Sequence, residues 1–140
     1  MSHVTVIKSV PIKSISALYA AVTNLQEKGI KCRLEKDCRP SMYAEHQEVL
    51  CPYVLRLEDS KFDIGFQKEK GSESYDILMD TYSGHLKNVL GTKGNADNNH
   101  IGLLLQEYSK EAAKEAAFAC GMMVEECYMD EEDNVVMIFQ

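Results

Sequence analysis

The sequence PYVLRLEDSKFDIGFQKEKGSESYDILMDTY, residues 52–82, contains three short runs in which every second residue is apolar. Those apolar residues are Tyr53, Leu55, Leu57, Phe62, Ile64, Phe66, Tyr75, Ile77 and Met79. Alternation with a period of two is typical of β-strands that bury one face. Turn-forming residues separate the runs, at Asp59-Ser60 and at Lys68 to Ser74. The stretch therefore predicts a three-stranded antiparallel meander whose apolar face the rest of the chain must cover.

The register of the first hairpin follows from charge and burial together. With a two-residue loop, Leu55 lies opposite Ile64 and Arg56 lies opposite Asp63. An opposite-charge pair across two strands is worth roughly 0.2–1 kcal/mol. A four-residue loop would instead place Glu58 against Asp63, which is a like-charge pair. We therefore predict the register that pairs Arg56 with Asp63.

The residues before the meander predict a strand, a helix and a second strand. Val4 to Ile7 is rich in β-branched residues, and Ser14 is a suitable N-cap for a helix that continues to Lys28. The buried stripe of this helix is predicted to be Ile15, Leu18, Val22 and Leu25. Ile30 to Glu35 alternates again and predicts a strand. Residues 36–41 have the composition of a loop, and residues 42–50 could form a short strand, a helical turn or neither.

The residues after the meander predict two helices and a hairpin. His85 to Leu90 could form a short helix, and His100 to Cys120 a long one. The buried face of the long helix is predicted to be Leu105, Tyr108, Ala112, Ala116 and Ala119. Its wet face is predicted to be Glu107, Lys110, Glu111 and Lys114, which are spaced for ion pairs. Met123 to Met129 and Asn134 to Phe139 would close the chain as a hairpin.

This order of elements predicts a single α+β domain over residues 1–140. We expect a mostly antiparallel sheet with a central three-strand meander and two main helices packed on one face. The first strand–helix–strand unit and the last helix–strand unit could build a ferredoxin-like arrangement.

Composition narrows the classes of function. The chain has 140 residues and a formal charge of −7, which argues against general nucleic-acid binding and against attachment to anionic lipid. No apolar run reaches the roughly 18 residues of a membrane span, and no secretory signal is visible at the start. Gly91 to Gly94 lacks the order of a phosphate-binding loop, and we expect no cofactor. The expected setting is intracellular and soluble, in the cytoplasm or a plastid-like compartment.

Several segments carry a resemblance to one family. They are Ser2 to Lys8, Asp63-Ile64-Gly65-Phe66, Tyr75 with Asp80, Tyr108, and Gly121 with Val124. They resemble segments of the hypothetical chloroplast open reading frame 35 family, also called domain of unknown function 1257. In the same order, those family segments are the Ser-His-Phe-x-x-Ile start, an Asp-Ile-Gly-Phe strand, a Tyr-x-Leu-x-x-Asp strand, a helical Gln-x-Tyr position and the last helix-to-strand turn. The chain departs from the family pattern at Val4, at Tyr82 and in the loop around Arg39-Pro40. Members are small soluble proteins of plastids, cyanobacteria and phages with no established molecular function, so the resemblance implies a fold and no activity.

The leading hypothesis is a non-enzymatic module that binds a protein partner. The outer face of the predicted sheet mixes apolar and charged side chains, as interfaces do. The predicted binding residues are Val54, Arg56, Leu78, Tyr82 and Arg39. An acidic end, formed by Glu125, Glu126 and residues 130–133, could bind a basic partner or could be a solvated turn.

An acid/base enzyme or a small-molecule-binding protein is the first alternative. Asp63 and Asp80 can share a sheet face, and the first strand could bring His3 near them. A histidine beside carboxylates could act as a general base. The simpler interpretation is that Asp63 pairs with Arg56 and that His3 is an exposed terminal residue.

A zinc site is the second alternative. Cys32, Cys38, His46 and Cys51 would satisfy tetrahedral zinc, although their spacing is not that of paired zinc knuckles. The simpler interpretation of Cys32, and of Cys120 near the end of the long helix, is that of small core residues.

The last strand predicts self-association or an interior position. Asn134 to Phe139 is almost free of charge, and Val136 and Ile138 would face away from the core. Such a strand is either central in its sheet or covered by something, most simply a second copy in a two-fold dimer.

Overall fold

A computed structural model describes residues 4–43, 49–94, 96–129, 131 and 135–139. Its strands are β1 Val4–Ile12, β2 Cys32–Cys38, β3 Cys51–Leu57, β4 Ile64–Gln67, β5 Tyr75–Asp80, β6 Val124–Met129 and β7 Val135–Phe139. Its α-helices are α1 Ile15–Glu27, α2 Lys87–Leu90 and α3 Gly102–Ala119. The predicted α+β class is confirmed. No helix among the described residues is long and apolar enough to cross a membrane.

The main sheet has five antiparallel strands in the order β1-β5-β4-β3-β2. The predicted meander, β3 to β5, forms its centre, and Leu55 lies opposite Ile64 as predicted. The arrangement is not ferredoxin-like, because β1 pairs along the free side of β5 and β6 stays out of the sheet. β6 instead pairs with β7 in a separate two-stranded sheet.

One face of the main sheet carries the core, and α1 and α3 cover it. Ser14 is the N-cap of α1, its hydroxyl accepting from Ala17 N at 3.1 Å, and Gly29 follows the helix with φ of 91°. The predicted helix residues Leu18, Val22 and Leu25 are buried in one cluster with the predicted face of the meander. Alternation along β3–β5 and the helical stripe of α1 thus describe two sides of one core.

The predicted faces of α3 are correct only in its first half. Leu105 and Tyr108 are buried, whereas Ala116 and Ala119 are exposed. Glu107, predicted to face water, is only 6% exposed and pairs with Lys110 at 3.0 Å. The first half of α3 packs against the core cluster, and its contacts with α1 continue to Glu115, whose carboxylate accepts from the Ser14 and Ser16 hydroxyls. The last turn extends beyond the core cluster toward β6.

β7 is an edge strand and not an interior one. Among the described residues it pairs with β6 alone. Val136 is half-buried and Ile138 is 41% exposed. The interior position predicted as one alternative is therefore wrong, and cover by another chain stays a prediction.

Candidate functional site

The outer face of the main sheet is covered by residues 39–43, which we call the strap. Met42 is 1% exposed and packs in one cluster with Val54, Leu78 and Cys51. Val54 is 0% and Leu78 is 5% exposed. The prediction that these two residues form an open binding face is therefore wrong, because the strap occupies the surface they would offer.

Asp63 holds the first half of the strap. Its Oδ2 accepts from Ser41 N at 2.8 Å, and Asp63 N donates to Ser41 O at 2.8 Å. Oδ1 accepts from Leu57 N at 3.2 Å, and Oδ2 also accepts from Arg56 Nη1 at 2.7 Å. The predicted Arg56–Asp63 pair is confirmed. The Asp63 side chain is 8% exposed, and a buried carboxylate that accepts these bonds is well suited to holding the backbone in place.

Asp80 holds the second half of the strap. Its carboxylate is 0% exposed, with Oδ2 accepting from Tyr43 N at 3.1 Å and Oδ1 from Tyr82 N at 3.0 Å. The Tyr43 and Tyr82 rings also meet edge to face, with centroids 5.7 Å apart. Asp63 and Asp80 therefore bind the strap through alternate residues, on either side of Met42. The hypothesised general base, His3, lies outside the described residues.

Arg56 links the strap to the edge of the sheet. Besides its bond to Asp63, its Nη1 donates to Arg39 O at 2.8 Å and its Nε donates to Glu35 at 3.2 Å. Hydrogen bonds from Arg56 and then from Arg33 lower the pKa of the Glu35 carboxyl. Three of the predicted binding residues, Arg56, Tyr82 and Arg39, thus take part in holding the strap, Arg39 through its carbonyl group.

Of the predicted zinc ligands, Cys38 and Cys51 lie close together, and Cys32 lies apart from them. Cys32 begins β2 and its thiol faces Val22 O in the core, 4.0 Å away. Cys38 ends β2, six residues or about 20 Å along the strand, and lies opposite Cys51. His46 is outside the described residues. Within the described part of the chain no three metal-ligating side chains are grouped to hold an ion, so the interpretation of Cys32 as a partly buried core residue is the one confirmed.

A second candidate site lies where α3 ends and β6 begins. A cleft of about 430 Å³ is lined by Lys114, Glu115, Phe118, Met122, Met123 and Val124. We call it the apolar cleft. Phe118 is 75%, Met122 48% and Met123 62% exposed. Cys120, predicted to be a core residue, is also exposed.

The sequence does contain a signal for the apolar cleft, but the same residues also fit the pattern of a core. Apolar residues surround the end of α3 on more sides than one buried stripe can use, from Ala117 to Val124. Because α3 passes beyond the core cluster, Phe118, Met122 and Met123 stay on the surface, whereas Ala117 is buried. On the hairpin that follows, Tyr128 and Ile138 are 43% and 41% exposed.

Comparison with known proteins gives this chain no relative. No family model matches it, and searches of the curated proteins and of the solved structures found no significant match. The resemblance of the motifs around Asp63 and Asp80 to an uncharacterised family therefore stays a prediction. Function has to be inferred from the two sites themselves.

Proposed function

We propose that the chain is a non-enzymatic interaction module that binds a protein partner through the apolar cleft. The observation that carries this proposal is the exposure of Phe118, Met122 and Met123 side by side in one cleft. Large apolar residues scattered singly on a surface are ordinary, whereas grouped ones mark interaction sites. What supports the non-enzymatic part is that Asp63 and Asp80, the candidate acid/base carboxylates, bind backbone N–H groups of the strap.

The partner surface that fits the cleft is apolar and basic. Glu115 lines the cleft, and Glu125, Glu126 and Glu131 are exposed on and after the strand that follows it. Lys114, the basic lining residue, is paired with a glutamate of α3 at 3.5 Å. Flexible methionines, followed along the chain by exposed glutamates of β6, favour a peptide segment that combines apolar anchors with lysine or arginine.

A second copy of this chain fits the cleft less well. Each copy carries a formal charge of −7, and a dimer would bring two acidic chains together. The uncharged edge of β7 is the feature that favours a dimer. Membership of the hypothetical chloroplast open reading frame 35 family is likewise a proposal, and it adds a fold without an activity.

Selection from a random peptide library on the immobilised full chain tests the proposal. We expect the retained peptides to combine large apolar residues with lysine or arginine, and to bind more weakly as salt is raised. Phe118→Asp and Met123→Glu should each weaken binding about tenfold or more. Leu50→Asp is the matched control, because Leu50 is 58% exposed and lies outside the cleft.

Three outcomes would overturn the proposal. Peptides without basic residues would contradict the partner chemistry, and equal binding by all three variants would contradict the site. Light scattering that shows a dimer, made monomeric by Met123→Glu, would assign the cleft to a second copy.

A further inference from the structure

Two free cysteines lie on neighbouring strands, one on each side of the strap in the chain. Cys38 ends β2, Cys51 begins β3, and the two are directly opposite in the antiparallel register. Residues opposite each other in such a pair have Cα atoms about 4.5–5.5 Å apart, and a disulfide spans Cα atoms about 4.4–6.8 Å apart. Both residues pack against the cluster of Met42, Val54 and Leu78, so both lie on the same side of the sheet. The strands therefore place the two Cα atoms at a separation that a disulfide can span, and rotation of the Cys51 side chain from its position beside Gly65 would bring its thiol to Cys38.

We propose that Cys38 and Cys51 are a redox modification site that forms a reversible intramolecular disulfide by exchange with a low-molecular-weight disulfide. The bond closes the segment 38–51, which includes the strap. It leaves the β2–β3 pairing in place, because it joins residues that are already neighbours in the ladder. This site is independent of the apolar cleft and of the proposed partner.

The exposure of the two thiols decides which of them reacts first. Cys38 is half-buried, whereas Cys51 is 0% exposed. Burial, and secondarily the neighbouring Cys38, raise the pKa of the Cys51 thiol. Cys38 is thus the thiol that meets a reagent from solution, and Cys51 is the thiol that resolves the product.

The chemistry balances with glutathione disulfide as the oxidant. The Cys38 thiolate attacks one sulfur of glutathione disulfide, which releases one glutathione thiolate and leaves a mixed disulfide on Cys38. The Cys51 thiol then loses its proton and attacks Cys38 Sγ, which releases the second glutathione. Two protein thiols are oxidised by two electrons, one glutathione disulfide is reduced to two thiols, and the two protons end on those thiols.

The disulfide would restrict the motion of the strap by joining the strands before and after it. Ser41 N and Tyr43 N are held by Asp63 and Asp80 at distances of 2.8 and 3.1 Å. Cross-linking residues 38 and 51 shortens the excursions open to the chain between them. We expect slower amide hydrogen exchange at Ser41 and Tyr43 in the oxidised protein than in the reduced protein.

Titration with glutathione redox buffers tests the proposal. Full-length protein carrying Cys120→Ser, which removes an exposed thiol, is equilibrated with reduced and oxidised glutathione, quenched in acid, alkylated, digested and analysed by mass spectrometry. We expect a Cys38–Cys51 cross-linked peptide lighter by two hydrogens, which dithiothreitol reverses. The midpoint of thermal unfolding should rise by about 5–10 °C on oxidation.

Two variants separate the roles of the thiols. Cys51→Ala should stop at the mixed disulfide on Cys38, and Cys38→Ser should leave Cys51 as a thiol. Because Cys51 is buried, circular dichroism must show that its variant is folded, and Cys38→Ser at the half-buried position carries the test if it is not. A stable glutathione adduct on Cys38 with Cys51 present, an unreacted pair, or a bond from Cys38 to any other cysteine would overturn the proposal.

Discussion

Asp80 accepts a hydrogen bond from the backbone N–H of Tyr43 at 3.1 Å, although the two residues are 37 positions apart in the chain. The other oxygen of the same carboxylate accepts from Tyr82 N at 3.0 Å. Asp80 is 0% exposed, so the accepting carboxylate of both bonds is buried. One buried carboxylate therefore joins the strap to the turn that follows β5.

Asp80→Asn should lower the free energy of unfolding by about 1–3 kcal/mol, because the amide presents a donor to one of the two N–H groups and leaves that N–H unsatisfied. Urea denaturation measures this change. Asp59→Asn is the matched control, since Asp59 is exposed in the β3–β4 turn. Equal midpoints for the two variants would show that the buried carboxylate does not hold the strap.

Gly65→Ala should lift the strap. A Cβ at Gly65 would lie 2.8 Å from Cys51 Sγ and 3.2 Å from Pro40 Cγ, and overpacking of this kind costs about 1–3 kcal/mol. In a Cys51→Ala background the same substitution should cost less, because the closer of the two contacts is gone. A double-mutant cycle measures the difference, and strictly additive effects would contradict the close approach.

The meander could be predicted from the sequence because each of its strands encodes a buried face. Once Leu55, Ile64 and Ile77 face one core, the period of two fixes the orientation of every neighbour. The pairing of Arg56 with Asp63 followed from the register that this pattern allows.

The strap could not be predicted, because the groups that hold it are backbone N–H groups that every residue except proline carries. Nothing in the side chain of Ser41 or Tyr43 indicates that its N–H reaches Asp63 or Asp80. The separation of Cys32 from the other proposed zinc ligands could not be predicted for a related reason. Spacing along the chain did not show that Cys32 and Cys38 sit at opposite ends of one strand.

The point along α3 at which the core ends could not be predicted from the sequence either. Helical periodicity shows which residues share a face, but it does not show where along the axis the neighbouring elements stop. Ala116 and Ala119 share the face of Tyr108 by spacing, yet they lie past the core cluster and are exposed, while Ala117 on another face is buried. The apolar cleft forms because α3 continues past the end of the core.

Glu35→Gln should make the free energy of unfolding depend less steeply on pH in the acidic range. Hydrogen bonds from Arg56 and then Arg33 lower the pKa of Glu35 below its ordinary value of 4.5 in the folded chain. A group whose pKa is lowered on folding stabilises the protein above the unfolded pKa, and that contribution is lost as the pH falls through the folded pKa. Measured from neutral pH down to about pH 3, the free energy of unfolding should therefore fall less steeply in Glu35→Gln. Glu58→Gln, at an exposed turn residue, is the control, and parallel profiles for wild type and Glu35→Gln would contradict the expectation.

Tyr108→Phe should loosen the start of α1. The Tyr108 hydroxyl accepts from Lys13 N at 2.9 Å and from Ser14 N at 3.1 Å, and the residue is 4% exposed. Removing it leaves two part-buried N–H groups without their acceptor, which should cost about 1–3 kcal/mol, with faster hydrogen exchange in the first turn of α1. Tyr128→Phe removes the same atom from a residue that is 43% exposed, and its free energy of unfolding should stay close to that of the wild type. If both variants lost the same amount, the bonds of the Tyr108 hydroxyl would not help to hold α3 against the N-terminus of α1.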